Sequence, residues 1–329
     1  MNILVTGATG FIGSHLIQLL SETGHQVTCL VRKTSHTALI SKLKLNIIFG
    51  DVTDPVSVRA AVKGQDCLIN LANLYSFWEP DPSIYRKVNV DGTRIMMDSA
   101  LEAGVAKVIH ISTCGVYGRP KDVPFTESSE VGPERFSEYF RTKYEGDMIA
   151  WDLYEKKKLP LVMVYPMAVL GPGDPKATGQ YIQRLVRRRL PARVLEDAVF
   201  TFVDVRDVAD IIYRAMMKEG NIGERYFAGT VRLTWGELNR MVAEISGVAL
   251  PRLYLPDFLV VMNAWLLTKL ADIIKRPPLW GLAKEQIRTM KEGVRADGSK
   301  ATRELCIEYT PIREAIKECI AEYYPAARS

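Results

Sequence analysis

Short apolar runs and amphipathic stretches alternate along the first half of the chain. Asn2–Thr6, Gln26–Arg32, Asn46–Phe49, Cys67–Leu71, Lys107–Ser112 and Pro160–Tyr165 are rich in β-branched residues and bounded by turn formers, which predicts strands. Between them, Gly10–Glu22, Pro55–Val62, Ser83–Ala103 and Phe136–Glu155 place apolar residues at helical spacing. Strands that are apolar throughout, rather than alternating, are buried on both faces. The pattern therefore predicts an α/β fold: a doubly wound parallel sheet with helices on either side and right-handed crossovers.

The pattern changes after Gly171-Pro172-Gly173-Asp174. A helix (Gly179–Arg189), a strand (Phe200–Val203), a helix (Val205–Lys218) and a strand (Arg225–Ala228) are expected next. From Thr234 the reading is mostly helical, broken at Pro251, Pro256, Pro277 and Pro278. This predicts a larger lobe of residues 1–170 plus about 205–228, and a smaller, mostly helical lobe of about 171–204 and 229–329. The stretch Phe258–Ile274 is apolar around nearly its whole helical circumference. Such a helix is buried, covers an apolar ligand or touches a membrane surface, and burial between lobes is the first expectation.

Composition narrows the classes. At 329 residues the chain is long enough for about two domains, taking roughly 150 residues for each. With 47% apolar and 25% charged residues it has the mix of an ordinary globular protein, which excludes a disordered, collagen-like or disulfide-stapled chain. Lys and Arg number 43 against 38 Asp and Glu, and the densest basic cluster, Arg187-Arg188-Arg189, reads as a solvated helix face, so no nucleic-acid partner is expected. Five cysteines without a C-x-x-C pair indicate a reducing compartment and no metal site. The first strand begins at Asn2 and no run of 18 apolar residues exists, so neither a signal peptide nor a transmembrane segment is expected, and the location is read as cytoplasmic.

The first strand runs into Thr6-Gly7-Ala8-Thr9-Gly10-Phe11-Ile12-Gly13-Ser14. Gly7 permits the tight turn, Gly10 lets backbone approach a pyrophosphate, and Gly13 lets the helix pack close to the sheet. The free N–H groups and positive end of that helix suit a diphosphate, so the larger lobe is expected to be Rossmann-type and to bind a dinucleotide. Folds that take NAD usually place an acid at the end of the second strand for the ribose 2′-OH. Here Arg32 and Lys33 stand in that stretch, two cations suited to a 2′-phosphate, so NADP is favoured over NAD. Asp51 and Val52, closing the third strand, are candidates to hold the adenine, although Asp51-Val52-Thr53-Asp54-Pro55 is also an ordinary helix start.

At this point the chain resembles the extended short-chain dehydrogenase/reductase superfamily, the NAD-dependent epimerase/dehydratase family. The resemblance rests on Gly7/Gly10/Gly13, Asp51, Asn89-Val90-Asp91-Gly92-Thr93, Ser112-Thr113, Tyr139-Phe140-Arg141-Thr142-Lys143 and Gly171-Pro172-Gly173-Asp174. It implies that Tyr139 exchanges a proton with the substrate oxygen while hydride moves to or from the nicotinamide, and that Lys143 holds the nicotinamide ribose. Tyr139 and Lys143 are four apart, hence neighbours on one helix face, and a nearby ammonium lowers the pKa of a phenol. Thr113, with Ser112 as the alternative, is implied to hydrogen-bond the substrate oxygen, and Asn89 to support the lysine. Thr9, Phe11, Ile12, Leu71, Ala72 and Asn73 are implied to border the cofactor, as are Pro166, Ala168 and Val169, whose turn fixes the carboxamide. The helices within Ser83–Ala103 and Phe136–Glu155 resemble those of a homodimer interface.

Departures from the family pattern indicate the branch. Dehydratases acting on nucleotide sugars carry Asp-Glu where this chain has Cys114-Gly115. Sugar epimerases carry an Asn at Ala168 and an Arg at Phe200, although Arg193 or Arg206 could replace the latter. Tyr75, Phe77, Trp78 and Met167 are instead candidates to contact a bulky, hydrophobic small-molecule substrate. The chain is most similar to the dihydroflavonol-reductase and 3β-hydroxysteroid-dehydrogenase branch, and Asp297-Gly298-Ser299-Lys300-Ala301 fits that branch too. Two other readings stay open: a nucleotide-sugar epimerase or dehydratase with tightly held NAD, and a non-catalytic dinucleotide-binding regulator. The second would be expected to have lost Tyr139 or Lys143.

Overall fold

The computed structural model describes residues 1–38 and 40–323. Its strands are β1 (Asn2–Thr6), β2 (Gln26–Val31), β3 (Asn46–Phe49), β4 (Cys67–Asn70), β5 (Lys107–Ile111), β6 (Leu161–Pro166), β7 (Ala168–Leu170), β8 (Val199–Asp204), β9 (Arg225–Ala228) and β10 (Val231–Thr234). Seven form one parallel sheet in the order β3-β2-β1-β4-β5-β6-β9. That is the doubly wound Rossmann arrangement, whose order reverses between β1 and β4. The central strands are buried on both faces, as their continuous apolar runs require.

Helices α1 (Phe11–Ser21), α2 (Pro55–Val62), α3 (Ser83–Arg86), α4 (Gly92–Glu102) and α5 (Glu138–Lys157) lie in the first half. One apolar layer packs α1 and α7 (Val205–Met217) on one face of the sheet, and a second packs α2, α4 and α5 on the other. The single helix expected over 83–103 is interrupted, because Lys87–Asp91 forms one π-helical turn between α3 and α4. Such turns widen the helix by one residue and are frequent at functional sites.

The second half contains α6 (Ala177–Val186), α8 (Trp235–Ser246), α9 (Asp257–Ile274), α10 (Lys284–Glu292), α11 (Ser299–Leu305) and α12 (Ile312–Tyr323). It also holds a three-stranded sheet, β10-β8-β7, that the sequence pattern gave only one strand of. Leu170, Phe200, Phe202, Trp235, Leu238 and Ile316 form the core between this sheet and α6, α8 and α12. The expected burial of the apolar stretch at 258–274 is corrected. In α9 only Val260, Ala264, Thr268 and Ala271 are buried, a narrow stripe against Leu195 and Ile287, while the opposite face is open to solvent. Among the described residues no helix is long and apolar enough to cross a membrane.

Candidate active site

A cleft of about 690 Å³ opens over the C-terminal ends of β1, β2, β4, β5 and β6. This is where open α/β sheets bind ligands, at the point where strand order reverses. Its floor is the glycine loop. Gly7 has φ +72°, and a Cβ there would lie 2.7 Å from the Leu71 carbonyl carbon. A Cβ on Gly13 would lie 2.1 Å from the Gly7 carbonyl oxygen, so α1 packs against the loop as closely as backbone allows. Gly10 precedes α1 in an extended conformation with no side-chain cap, and Phe11, Ile12 and Gly13 line the cleft. This cradle fits a dinucleotide: the bare first turn offers amide donors to the diphosphate, and Thr9 borders it.

Arg32 lies on the cleft rim, exposed, whereas Lys33 points outside the cleft lining. Asp51 and Val52 line the same end, but Asp51 Oδ1 already accepts from the backbone N–H and hydroxyl of Thr53, at 2.9 and 2.8 Å. Leu71, Ala72 and Asn73 continue the wall beyond β4, and Pro166, Met167, Ala168 and Val169 form the side opposite.

Helix α5 carries the tyrosine and lysine. Ser137 caps it, its Oγ accepting from the Phe140 N–H at 3.2 Å, which fixes the helix start at Glu138, one residue before Tyr139. The Tyr139 ring is edge-on to Tyr75 and Phe77, with centroids 5.1 and 6.2 Å away, and leans on Phe140. Burial, followed by Tyr75 and Asp147, pushes the phenol well above its ordinary pKa. Lys143 is buried behind it and donates through Nζ to the Ile111 carbonyl at 2.8 Å. Burial pushes the ammonium down while Asp147 pulls it up. The expected lowering of the Tyr139 pKa by Lys143 is therefore not what this geometry produces: desolvation dominates, and the cation is engaged by a backbone carbonyl.

The two hydroxyls after β5 have different roles. Ser112 Oγ donates to Asp147 Oδ2 at 2.7 Å in a buried contact. Thr113 Oγ1 accepts only a long 3.3 Å contact from the Gly115 N–H, and the residue lines the cleft. The Asn89 carboxamide makes its direct hydrogen bonds to groups other than Lys143. It sits in the π turn, where Oδ1 accepts from the Leu74 N–H at 2.8 Å and Nδ2 donates to the Leu74 carbonyl and to Thr142 Oγ1. It thus ties the aromatic loop containing Tyr75 and Phe77 to α5. Trp78 leaves the cleft, its Nε1 donating to Asp272 Oδ1 of α9 at 2.9 Å.

Sequence reasoning missed a buried polar row beneath the site. Thr6 Oγ1 donates to Asn70 Oδ1 at 2.7 Å, Asn70 Nδ2 donates to His110 Nδ1 at 3.1 Å, and His110 Nε2 faces Asp147 Oδ1 at 3.6 Å. Burial, then Lys143, pushes the His110 pKa down, so the imidazole is neutral and carries its proton on Nε2. Tyr139, Lys143 and Asp147 recur every four residues on α5, so a charge on the buried stripe was the available signal. The far wall was missed as well. Phe200, Trp235, Met290 and Val294 come together from β8, α8, α10 and the segment after it, with no local pattern to join them.

Strand order and a glycine loop at the reversal point place the chain among dinucleotide-binding α/β enzymes, and the Tyr-x-x-x-Lys helix beside that loop narrows the class to short-chain dehydrogenases/reductases of the extended type. The chain belongs to the NAD dependent epimerase/dehydratase family, whose profile matches residues 3–229. Its cofactor is accordingly of the NAD(P) type. It is 34% identical over 328 residues to sterol demethylase protein B of Methylococcus capsulatus, covering 98% of each chain. A dihydroflavonol 4-reductase-like protein of Synechocystis is 28% identical over 323 residues, 96% of this chain and 92% of that one. The crystal structure of gox2253 superposes with a TM-score of 0.84 at 35% identity, covering 99% of this chain and 98% of that one.

Proposed function

We propose that the protein is an NADP-dependent oxidoreductase that interconverts a bulky, hydrophobic secondary alcohol and its ketone. The observation that carries this reading is the wall of the cleft across from the glycine loop, built from Met167, Phe200, Trp235, Met290 and Val294. A sugar diphosphate is best gripped by guanidiniums in such a wall; the cleft lining includes Gln286 and Lys176, but the Lys176 ammonium donates to the Tyr75 carbonyl at 3.1 Å. The two guanidiniums that could have served are engaged elsewhere: Arg193 with Glu196, Arg206 with Asp204 and Glu318, and neither lines the cleft. Cys114 and Gly115 offer no carboxylate for an elimination. The names of the two relatives, one carrying a sterol and the other a dihydroflavonol, support the same substrate class.

When bound, the nicotinamide gives or takes the hydride at the carbinol carbon. Thr113 hydrogen-bonds the substrate oxygen, its hydroxyl being the less committed of the adjacent pair. Tyr139 carries the proton on its phenol oxygen, and burial keeps that oxygen protonated, the form that donates to a ketone. Lys143 holds the ribose, and Asn89 positions the aromatic loop that shapes the pocket. The lobe boundaries read from the sequence pattern, and a homodimer through the helices within Ser83–Ala103 and Phe136–Glu155, which rests on the family resemblance, belong to the same proposal.

A panel of ketones and alcohols assayed with NADPH and NADH by reduced-nicotinamide absorbance tests the reading. Net turnover of an apolar ketone is expected. Tightly held NAD with no net turnover would instead establish the epimerase reading. Arg32→Asp is expected to weaken NADPH by about a hundredfold, the equivalent of one charge-assisted pair, and to leave NADH nearly unchanged. Equal losses would overturn the NADP assignment. Thr113→Val is expected to lower kcat at least tenfold, in the range of a lost oxyanion donor. Ser112→Ala should chiefly lower the melting temperature, because it strips Asp147 of a buried donor; the reverse pattern would exchange the two roles.

A further inference from the structure

Of the eighteen large apolar side chains that the described residues leave exposed, eleven fall between residues 253 and 279. Most belong to one side of α9, where Phe258, Met262, Trp265, Leu266, Leu270 and Ile273 recur at helical spacing. Phe258 and Ile273, near the two ends, are 68% and 78% exposed. Monomers rarely leave so continuous an apolar strip in water. The opposite stripe holds α9 to α10 and to the segment around Leu195, so the helix is fixed in place with this side outward.

The charges around the strip are unbalanced. Between 252 and 276, Arg252, Lys269, Lys275 and Arg276 stand against Asp257 and Asp272; Asp272 already accepts from the Trp78 indole, and Asp81 interacts with Lys275 from outside the stretch. Lys269 stands within the apolar side itself, with Nζ 5.9 Å from the Trp265 ring centre. A second copy laid face to face would seal that ammonium into an apolar seam without an acid to meet it. At a lipid surface the same side chain lays its stem along the apolar residues and raises its head to a phosphate. An amphipathic helix with Trp and Phe on one side and cations among them is the form that lies in the plane of a membrane interface.

We propose that α9 docks the protein on the surface of an anionic lipid bilayer, its exposed side sunk into the boundary between headgroups and acyl chains. Helix α10, packed directly against α9, supplies Gln286, Thr289 and Met290 to the cleft. Docking therefore places one wall of the cleft a single helix away from the lipid. The proposal rests on the exposed helix and not on the chemistry of the cleft, so it stands or falls independently of the oxidoreductase reading.

Flotation of the full chain with vesicles tests it. The protein is expected to rise with phosphatidylcholine vesicles containing phosphatidylglycerol, and to bind pure phosphatidylcholine about tenfold more weakly, as expected for a few cations near a charged surface. Phe258→Asn with Ile273→Asn should abolish flotation. Lys269→Glu with Lys275→Glu should remove the preference for phosphatidylglycerol. All four side chains are solvent-exposed, so the melting temperature should barely change. In the unmodified protein, brominated phosphatidylcholine mixed into the anionic vesicles should quench a fluorescence component that Trp265→Tyr removes, a readout that needs no destabilising variant. The proposal is overturned if the protein stays at the bottom of the gradient with both vesicles, or if no Trp265 component is quenched. A concentration-dependent dimer that Phe258→Asn with Ile273→Asn dissociates would also overturn it, making this side a contact between copies.

Discussion

Tyr139→Phe is expected to lower kcat by about 10²–10⁴-fold, the range for losing a positioned acid or base, with little change in dinucleotide affinity or melting temperature. The separation of effects follows from where the two parts of the side chain sit. The ring fills a box of Tyr75, Phe77 and Phe140 through edge contacts that phenylalanine reproduces. Only the hydroxyl is lost, and it faces a cleft rather than a packed core, so the fold should give up less than about 1 kcal/mol. Truncation to alanine would confuse the result, since it opens a cavity at a site whose filling is worth roughly 3–5 kcal/mol. Steady-state kinetics on the phenylalanine variant, with dinucleotide binding measured by fluorescence, checks the prediction. Turnover like that of the unmodified protein would show that the proton comes from elsewhere, and Thr113 would then be the group to remove next. The raised phenol pKa sets the pH dependence: in the reductive direction the phenol is already protonated, so the rate should fall only at alkaline pH as the proton is lost. An acid-side loss would point to a different donor.

The parts of this site that were legible in the sequence are those made by neighbours in the chain. β1, β3 and α2 fall on the residues their patterns predicted: β1 because a strand buried on both faces cannot hide its composition, β3 through the apolar run Ile47-Ile48-Phe49 although this edge strand is only partly covered, and α2 because Pro55 follows the cap Asp54 directly. The glycine loop was legible because three glycines at fixed spacing have few other uses between a strand and a helix. The remainder depends on tertiary demand. Nothing in Lys87–Asp91 marks a π turn; it exists so that the Asn89 carboxamide can reach both Leu74 and Thr142. β7 and β10 are three and four residues long and owe their form to β8 lying between them. The pKa expectation failed for a related reason. Spacing says that Tyr139 and Lys143 are neighbours, but only the fold says that both are buried and that Ile111 offers its carbonyl to the ammonium. In α9 the apolar circumference was read correctly, but its bearing was not. A composition that is apolar all round does not distinguish a helix enclosed by protein from one held along a narrow stripe with its other side open.

Gly7→Ala is expected to cost about 30-fold or more in dinucleotide affinity, or the equivalent in fold stability, through strain that the loop cannot relieve without losing its shape. Two independent terms act at this position. An alanine at φ +72° takes on roughly 1–2 kcal/mol of left-handed strain. Its methyl would also stand 2.7 to 2.9 Å from three backbone atoms of Leu71 and Ala72, which belong to the neighbouring strand end and have no rotamer to change. Forcing such an overlap costs about 1–3 kcal/mol more. The relief available is to push the loop away from β4, and the carbonyl of Gly7 would then be driven towards Gly13, where α1 has no spare room. Either the loop stays and the fold is destabilised, or the loop moves and the amide donors at the start of α1 no longer converge on the diphosphate. With about 1.4 kcal/mol per factor of ten, a total of roughly 2–5 kcal/mol corresponds to a factor of about 30 to several thousand, taken from affinity where the loop moves and from fold stability where it stays. Melting curves recorded with and without NADPH separate the routes: a lower melting temperature without ligand marks the first, and loss of the NADPH-induced rise marks the second. An alanine variant with unchanged melting and an unchanged response to NADPH would show that the loop tolerates a side chain at its tightest point, and the assignment of the diphosphate to this cradle would fall.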